Sequence, residues 1–221
     1  MEPILKMNVK LTQLLKNVAQ QRGITLEVLK KSIDEDEILD RERDYPNLST
    51  LLLADEMDIK ALKSIKNNLL ILSRWDIGEF QAFLSDPAFA QSTIRSLIND
   101  FPGDDEAAAQ GIDTFIGKLV NHKFPKAKDG ITESRAGLFC SLFLTVVFPE
   151  RFVDFRQKRW VNLARILGYR PPNPGSSYGQ MIVWAGQFAK EIAKTQIFQN
   201  LWQTEHPLWS VTGLCWNLKD V

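Results

Sequence analysis

The sequence predicts an all-α fold, a multi-helix globular bundle built around one central apolar helix. Three observations lead there. Apolar residues recur at helical intervals through most of the chain, and no segment sustains the period-two alternation of a half-buried strand. One run, AGLFCSLFLTVVF from Ala136 to Phe148, is apolar on every side, as a helix enclosed by others must be.

The elements follow in order. Leu11, Leu14, Leu15 and Val18 share one face of a first helix that Gly23 breaks, and Thr25 with Glu27 and Leu29 starts a short second one. The acidic run DEDEILDRERD, Asp34 to Asp44, reads as a solvated helix or linker. The best boundary falls here, with residues 1–44 as a helical hairpin plus acidic linker and residues 45–221 as the main helical domain. From Pro46 the helical pattern resumes and continues to Trp75, after which Asp76 and Glu79 have the spacing of a capping box. Ser85 or Asp86 ahead of Pro87 marks another start, because proline fits the first helical turn. Asp104 to Glu106 complement the dipole of a helix running to about His122.

Beyond the basic loop NHKFPKAKDG, Thr132 caps the apolar helix and Pro149 ends it. A basic amphipathic helix is expected directly after Pro149, then the rigid loop YRPPNPGSS. Ser177 and Gln180 form the capping box of a helix from about Tyr178 to Thr195, and Pro207 separates two short helices at the C-terminal end.

With 221 residues and 44% apolar composition, the chain buries enough surface to fold without a disulfide or metal staple. Cys140 and Cys215 each sit inside an apolar run and read as reduced, packed thiols of a cytoplasmic protein. The opening MEPILKMNVK lacks the apolar core of a signal peptide, and the apolar run is too short to span a bilayer, so no membrane partner is expected. The net charge is zero but unevenly spread: residues 1–111 carry a balance of −6 and residues 112–221 a balance of +6. A polyanion-facing C-terminal half, or attraction between the halves, accounts for such asymmetry.

The stretch FPERFVDFRQKRWVNLARILGYRPP concentrates the positive charge. If it is helical from Pro149 onward, Trp160, Leu163, Ala164 and Leu167 share the core side. Arg151, Lys158 and Arg165, spaced by seven, then lie opposite with Arg159 on their flank. Lys123, Lys126 and Lys128 form a second basic cluster and Arg170 a third, and residues 118–170 carry a local excess of +7. Together with Arg156 these nine side chains are the candidate phosphate contacts, which would make binding strongly salt-dependent. The competing reading is an amphipathic helix whose basic face is merely solvated.

Trp75, Trp160 and Trp184 fall on apolar helix faces and are expected in the core. Trp202, Trp209 and Trp216 recur at seven-residue spacing, either as one buried stripe or as a docking surface for a partner. Catalytic signatures are poor, since there is no phosphate-cradling Gly-rich loop, no nucleophile elbow, no HExxH and no paired CxxC. His122, His206, Cys140 and Cys215 would form a metal site only by tertiary coincidence, and Glu133 and Glu150 are nuclease candidates only by adjoining the basic region. No cofactor is implied. The stretch LTQLLKNVAQQRGITLEVLKKS superficially resembles the first two helices of a repressor-type helix-turn-helix. Lys30 stands where that motif prefers a small residue, however, and the acidic run beyond it would repel phosphate.

A different resemblance covers Ala136 to Leu218, under half the chain. LFLTVVFPERFVDFR, then an amphipathic helix, LGY, a Gly/Pro loop, YGQMIVWAGQFAKEI and finally HPLWSVTGLCW are similar to the helical region ahead of the ATPase module in some McrB-like restriction proteins. The shared elements are a Pro-x-x-Phe step, a basic helix, an LG stop and a terminal Trp-rich segment. The resemblance implies a targeting or adaptor domain of a prokaryotic antiviral defence system, working with an ATPase or nuclease module in cis or trans, and the local excess of +7 makes a non-catalytic DNA-binding domain the first expectation. The alternative is a helical adaptor that docks on such a partner. No ATPase portion is present in this sequence, and no catalytic or base-recognition residue carries over.

Overall fold

The computed structural model describes residues 2–35, 39–65, 74–99, 101–125, 127 and 130–218, and these form twelve helices with no strand among them. The fold is all-α, as the periodicity predicts. In chain order the helices are α1 (Glu2–Gln21), α2 (Leu26–Ile33), α3 (Leu39–Leu53), α4 (Ile59–Ile65), α5 (Arg74–Phe83) and α6 (Pro87–Ile98). They continue as α7 (Asp105–Asn121), α8 (Glu133–Val147), α9 (Gln157–Leu167), α10 (Tyr178–Ala193), α11 (Gln196–Leu201) and α12 (Pro207–Asn217).

Local chemistry sets most of these starts. Thr25 accepts from Val28 N–H, Asp86 from Phe89 N–H at 3.1 Å and Asp104 from Ala107 N–H at 2.8 Å. Ser177 and Gln180 form both bonds of a reciprocal capping box. Thr132 stands at the N-cap of α8 but makes no side-chain cap bond. Gly23 and Gly168 adopt φ of 66° and 71°, the left-handed conformation that ends α1 and α9 without a Cβ clash.

The apolar α8 is the axis of the bundle. Every residue from Ala136 to Val146 is buried, and α3, α6, α7 and α10 all pack on it. Phe139 and Phe143 join Phe80, Phe83 and Phe115 in a set of edge-on and tilted ring contacts with centroids 5.1 to 6.4 Å apart. The broadest helix pair is α7 with α10, brought close by Gly179, where a Cβ would overlap the Ala109 carbonyl. On the other side α1 packs on α2, α9, α10 and α11, and α12 reaches α2, α9 and α10.

Two expectations fail. Residues 39–44 of the acidic run are helical, one of the two readings, but not simply solvated: α3 begins at Leu39, runs through Pro46, and buries Arg41 (3% exposed) and Asp44 (8% exposed). Arg41 forms an ion pair with Asp154 at 3.2 Å and Tyr45 donates to the same carboxylate at 2.8 Å, so long-range partners replace water. Asp76 and Glu79 are no capping box either, because α5 starts two residues earlier, at Arg74. Asp76 is instead a buried carboxylate held by Arg156 at 2.6 Å and by Arg135, which also pairs with Glu79.

Candidate nucleic-acid interface

The helix expected to start at Pro149 starts at Gln157, and this reorders the basic stripe. Phe152, Val153, Asp154 and Phe155 are all buried in an extended connection between α8 and α9, held by Phe155 N–H on Ser141 Oγ at 3.0 Å and by Trp160 Nε1–H on the Asp154 carbonyl at 2.9 Å. Buried on consecutive positions, this segment cannot be one face of an amphipathic helix. Arg151 is therefore not in register with Lys158 and Arg165. Its guanidinium bonds the carbonyls of Pro102 and Asp104 and pairs with Asp105 at 3.1 Å, tying the start of α7 to the end of α8.

Arg156 and Arg159 are also structural. Arg156 pairs with Asp76, and both guanidiniums lie over the Trp216 ring, that of Arg159 only 3.9 Å from the centroid. A cation stacked on indole while half-buried carries part of the α9–α12 contact. Both are thereby corrected from solvent-facing charges to packed ones.

What α9 does present is a narrower cationic ridge. Trp160, Leu163, Ala164 and Leu167 are buried as their spacing predicts, and Lys158 and Arg165 are exposed on the opposite side. Seven helical residues separate them by about 10 Å. Gly168 stops the helix with Tyr169 N–H returning to the Ala164 carbonyl at 2.8 Å. The loop beyond is pinned by Tyr169 stacking on Phe188 (4.6 Å) and by Trp184 Nε1–H on the Arg170 carbonyl (3.1 Å), which leaves the Arg170 side chain exposed. Lys10 of α1 joins this end, since a Cβ on Gly168 would run into its Nζ. Among the described residues, none of Lys10, Lys158, Arg165 and Arg170 forms an ion pair. A shallow groove of about 260 Å³ runs beside the ridge, between Lys158, Asn162 and Ile166 of α9 and Cys215 and Leu218 at the end of α12.

The sequence carried a signal for this ridge beyond charge count: residues 155–190 contain no Asp or Glu at all. Nothing local announced the network that joins Asp76 and Glu79 of α5 to Arg135 and Arg156, which lie more than fifty residues away in the chain. Lys123 is exposed beyond the end of α7, and Lys126 and Lys128 lie outside the described residues.

The three late tryptophans do not form one stripe. Trp202 ends α11, is 5% exposed, stacks on Phe198 and donates to Asp34 at 2.9 Å. Trp209 is 4% exposed between Tyr45 and His206, and Trp216 carries the arginines. Trp202 and Trp209 are consumed by internal packing, which corrects the docking role given to them. Trp160 is buried and Trp184 half-buried; Trp75 lies in α5, and its side chain is outside the described set.

Both thiols are free and buried, with burial pushing Cys140 well above the ordinary thiol range and Cys215 up to about 12. Among the described residues no cluster of three His, Cys, Asp or Glu side chains could hold a metal ion, and no helix is long and apolar enough to cross a membrane. Glu133 and Glu150 are exposed. Comparison with protein-family models, curated proteins and solved structures finds no match to this chain.

Proposed function

We propose that this chain is a non-catalytic nucleic-acid-binding domain that contacts the phosphate backbone through the ridge of Lys158, Arg165, Arg170 and Lys10. The observation that supports it is the exposure of these four cations without ion-pair partners, on a surface built from a segment free of acidic residues. Phosphates would release condensed counterions on binding, so affinity should fall steeply with salt. The resemblance to the region ahead of the ATPase in McrB-like proteins supports a targeting role for DNA in a prokaryotic defence system, with the ATPase or nuclease as a separate module.

The test is binding to duplex and single-stranded DNA across a salt series. Replacing Lys158, Arg165 and Arg170 with Glu should leave the melting temperature nearly unchanged, because all three are exposed and unpaired. The slope of log affinity against log salt should shrink by about 0.7 to 0.9 per lost contact, with an alanine triple controlling for repulsion. Arg151, Arg156 and Arg159 do not belong in the variant, since their loss would disturb packing. Absence of salt-dependent binding to DNA or RNA at low ionic strength would show the ridge to be a solvated face.

A further inference from the structure

The groove beside the α9 ridge offers what a phosphate does not use. Lys158, Asn162 and Ile166 follow one another four residues apart and so line it from one side of α9. Leu163 of the same helix and, across from it, Cys215 and Leu218 at the end of α12 make the rest of the lining apolar, apart from Arg159. Ile166 is 37% exposed and Asn162 is an exposed amide, so both are accessible from outside. The Arg159 guanidinium is laid on the Trp216 ring, 3.9 Å from its centroid, which holds a flat cation beside the groove. At about 260 Å³ the groove lies below the roughly 300 to 1,000 Å³ of drug-sized sites and has room for one planar ring system. No carboxylate lines it among the described residues.

We propose that this groove receives a base of an unpaired strand whose phosphates lie on Lys158 and Arg165, which makes the preferred ligand single-stranded RNA or DNA and not duplex. The inference rests on the phosphate-ridge reading and adds to it the state of the strand. A duplex keeps its bases stacked inside, so it would meet the ridge cations and leave the apolar lining against water. An unpaired strand presents phosphates and uncovered base faces side by side. The base lies as a planar apolar body against Leu163, Ile166 and Leu218, the Arg159 plane offers it a stacking face, and the Asn162 amide offers a donor and an acceptor to its edge. Lys158 and Arg165 stand at the two ends of the α9 stretch that holds Asn162, so backbone on either side of the bound base meets a cation.

The probes are fluorescein-labelled oligothymidylate and oligouridylate of about twelve nucleotides, within the length that single-strand sites cover, followed by fluorescence anisotropy. Their controls are the thymidylate–adenylate duplex of the same length and an abasic strand with the same phosphates. At low ionic strength the single strands should bind at least about tenfold tighter than the abasic strand and the duplex, although the duplex has the denser charge. Either single strand binding so supports the proposal, and the tighter one names the sugar. Asn162→Ala with Ile166→Gln should weaken single-strand binding about tenfold and leave duplex binding unchanged, with no loss of melting temperature because both side chains are exposed. The slope of log affinity against log salt should stay the same in this variant, because no phosphate contact is lost. Equal, salt-dependent binding of single strand, abasic strand and duplex overturns the proposal while the phosphate ridge stands. So does a wild-type single-strand affinity in the Asn162/Ile166 variant, or a slope that falls along with its affinity. Absence of salt-dependent binding by every probe removes the ridge and the groove together.

Discussion

Asp154 is fully buried, and its neighbours are arranged around its charge. Arg41 and Tyr45 from α3 reach one oxygen of the carboxylate, while the second oxygen has no hydrogen-bond partner among the described residues. Burial pushes its carboxyl above the usual range, and Arg41 pulls it part of the way back. Asp154→Ala would remove the carboxylate that the buried Arg41 guanidinium pairs with and should cost about 3 to 5 kcal/mol in urea unfolding. A paired Arg41→Met and Asp154→Leu replacement should recover most of that loss, because neither charge is then buried. The thiols act in the opposite pH range. Cys215 keeps its proton in the folded state up to about 12, whereas an unfolded thiol ionises near 9.0, so the stability this group contributes is full below pH 9 and is lost as pH rises from 9 to 12. Unfolding free energies from urea titrations at pH 8 to 11 should fall by up to about 1.4 kcal/mol per pH unit for each such group. The decline should be shallower in Cys215→Ala.

At the scale of elements, α7 and α10 show how a small residue sets a helix pair. Gly179 lies one residue into α10, its N–H donates to Asp113 at 2.8 Å, and its missing Cβ leaves room for the Ala109 carbonyl. Gly179→Ala has to push the helices apart along the largest interface of the bundle and should cost about 1 to 3 kcal/mol, read as a lower melting temperature. The connection from Phe148 to Arg156 teaches the converse lesson. The spacing of Trp160, Leu163, Ala164 and Leu167 holds for α9, but extending that helix back to Pro149 fails, because Phe152 and Phe155 are buried in a non-helical segment packed against Phe101, Ser141 and α10. A period alone does not separate a helix from an extended segment buried on both sides.

For the whole molecule, the charge asymmetry between the halves is matched by the ion pairs of Asp76 with Arg156, Glu79 with Arg135 and Asp105 with Arg151, and further contacts tie residues 1–44 to the rest. Arg41 pairs with Asp154, Trp202 donates to Asp34, and Arg22 donates to the Asn217 carbonyl at 3.0 Å. The helix α3 runs unbroken through residues 44 and 45. With these links and one continuous hydrophobic core, urea unfolding should be a single transition that coincides by tryptophan fluorescence and circular dichroism. Two separated transitions would show residues 1–44 to be an independent unit.

The all-α class, the central apolar helix, the helix starts at Thr25, at Ser85 or Asp86 and at Ser177, and the acidic residues at the head of α7 were legible in the amino-acid order, because each depends on residues within one or two turns of each other. So was the buried face of α9, Trp160, Leu163, Ala164 and Leu167. Which basic residues stay available was not legible. Arg151, Arg156 and Arg159 look the same as Lys158 and Arg165 in sequence, and only the fold brings the Pro102 carbonyl, Asp76 and Trp216 against the first three. The groove beside α9 belongs with them, because its far side, Cys215 and Leu218, comes from the end of α12. Local spacing determines a helix and its apolar faces, but whether a charge finds a partner, or an exposed face a facing wall, depends on residues brought near only by tertiary packing, at separations no local pattern encodes.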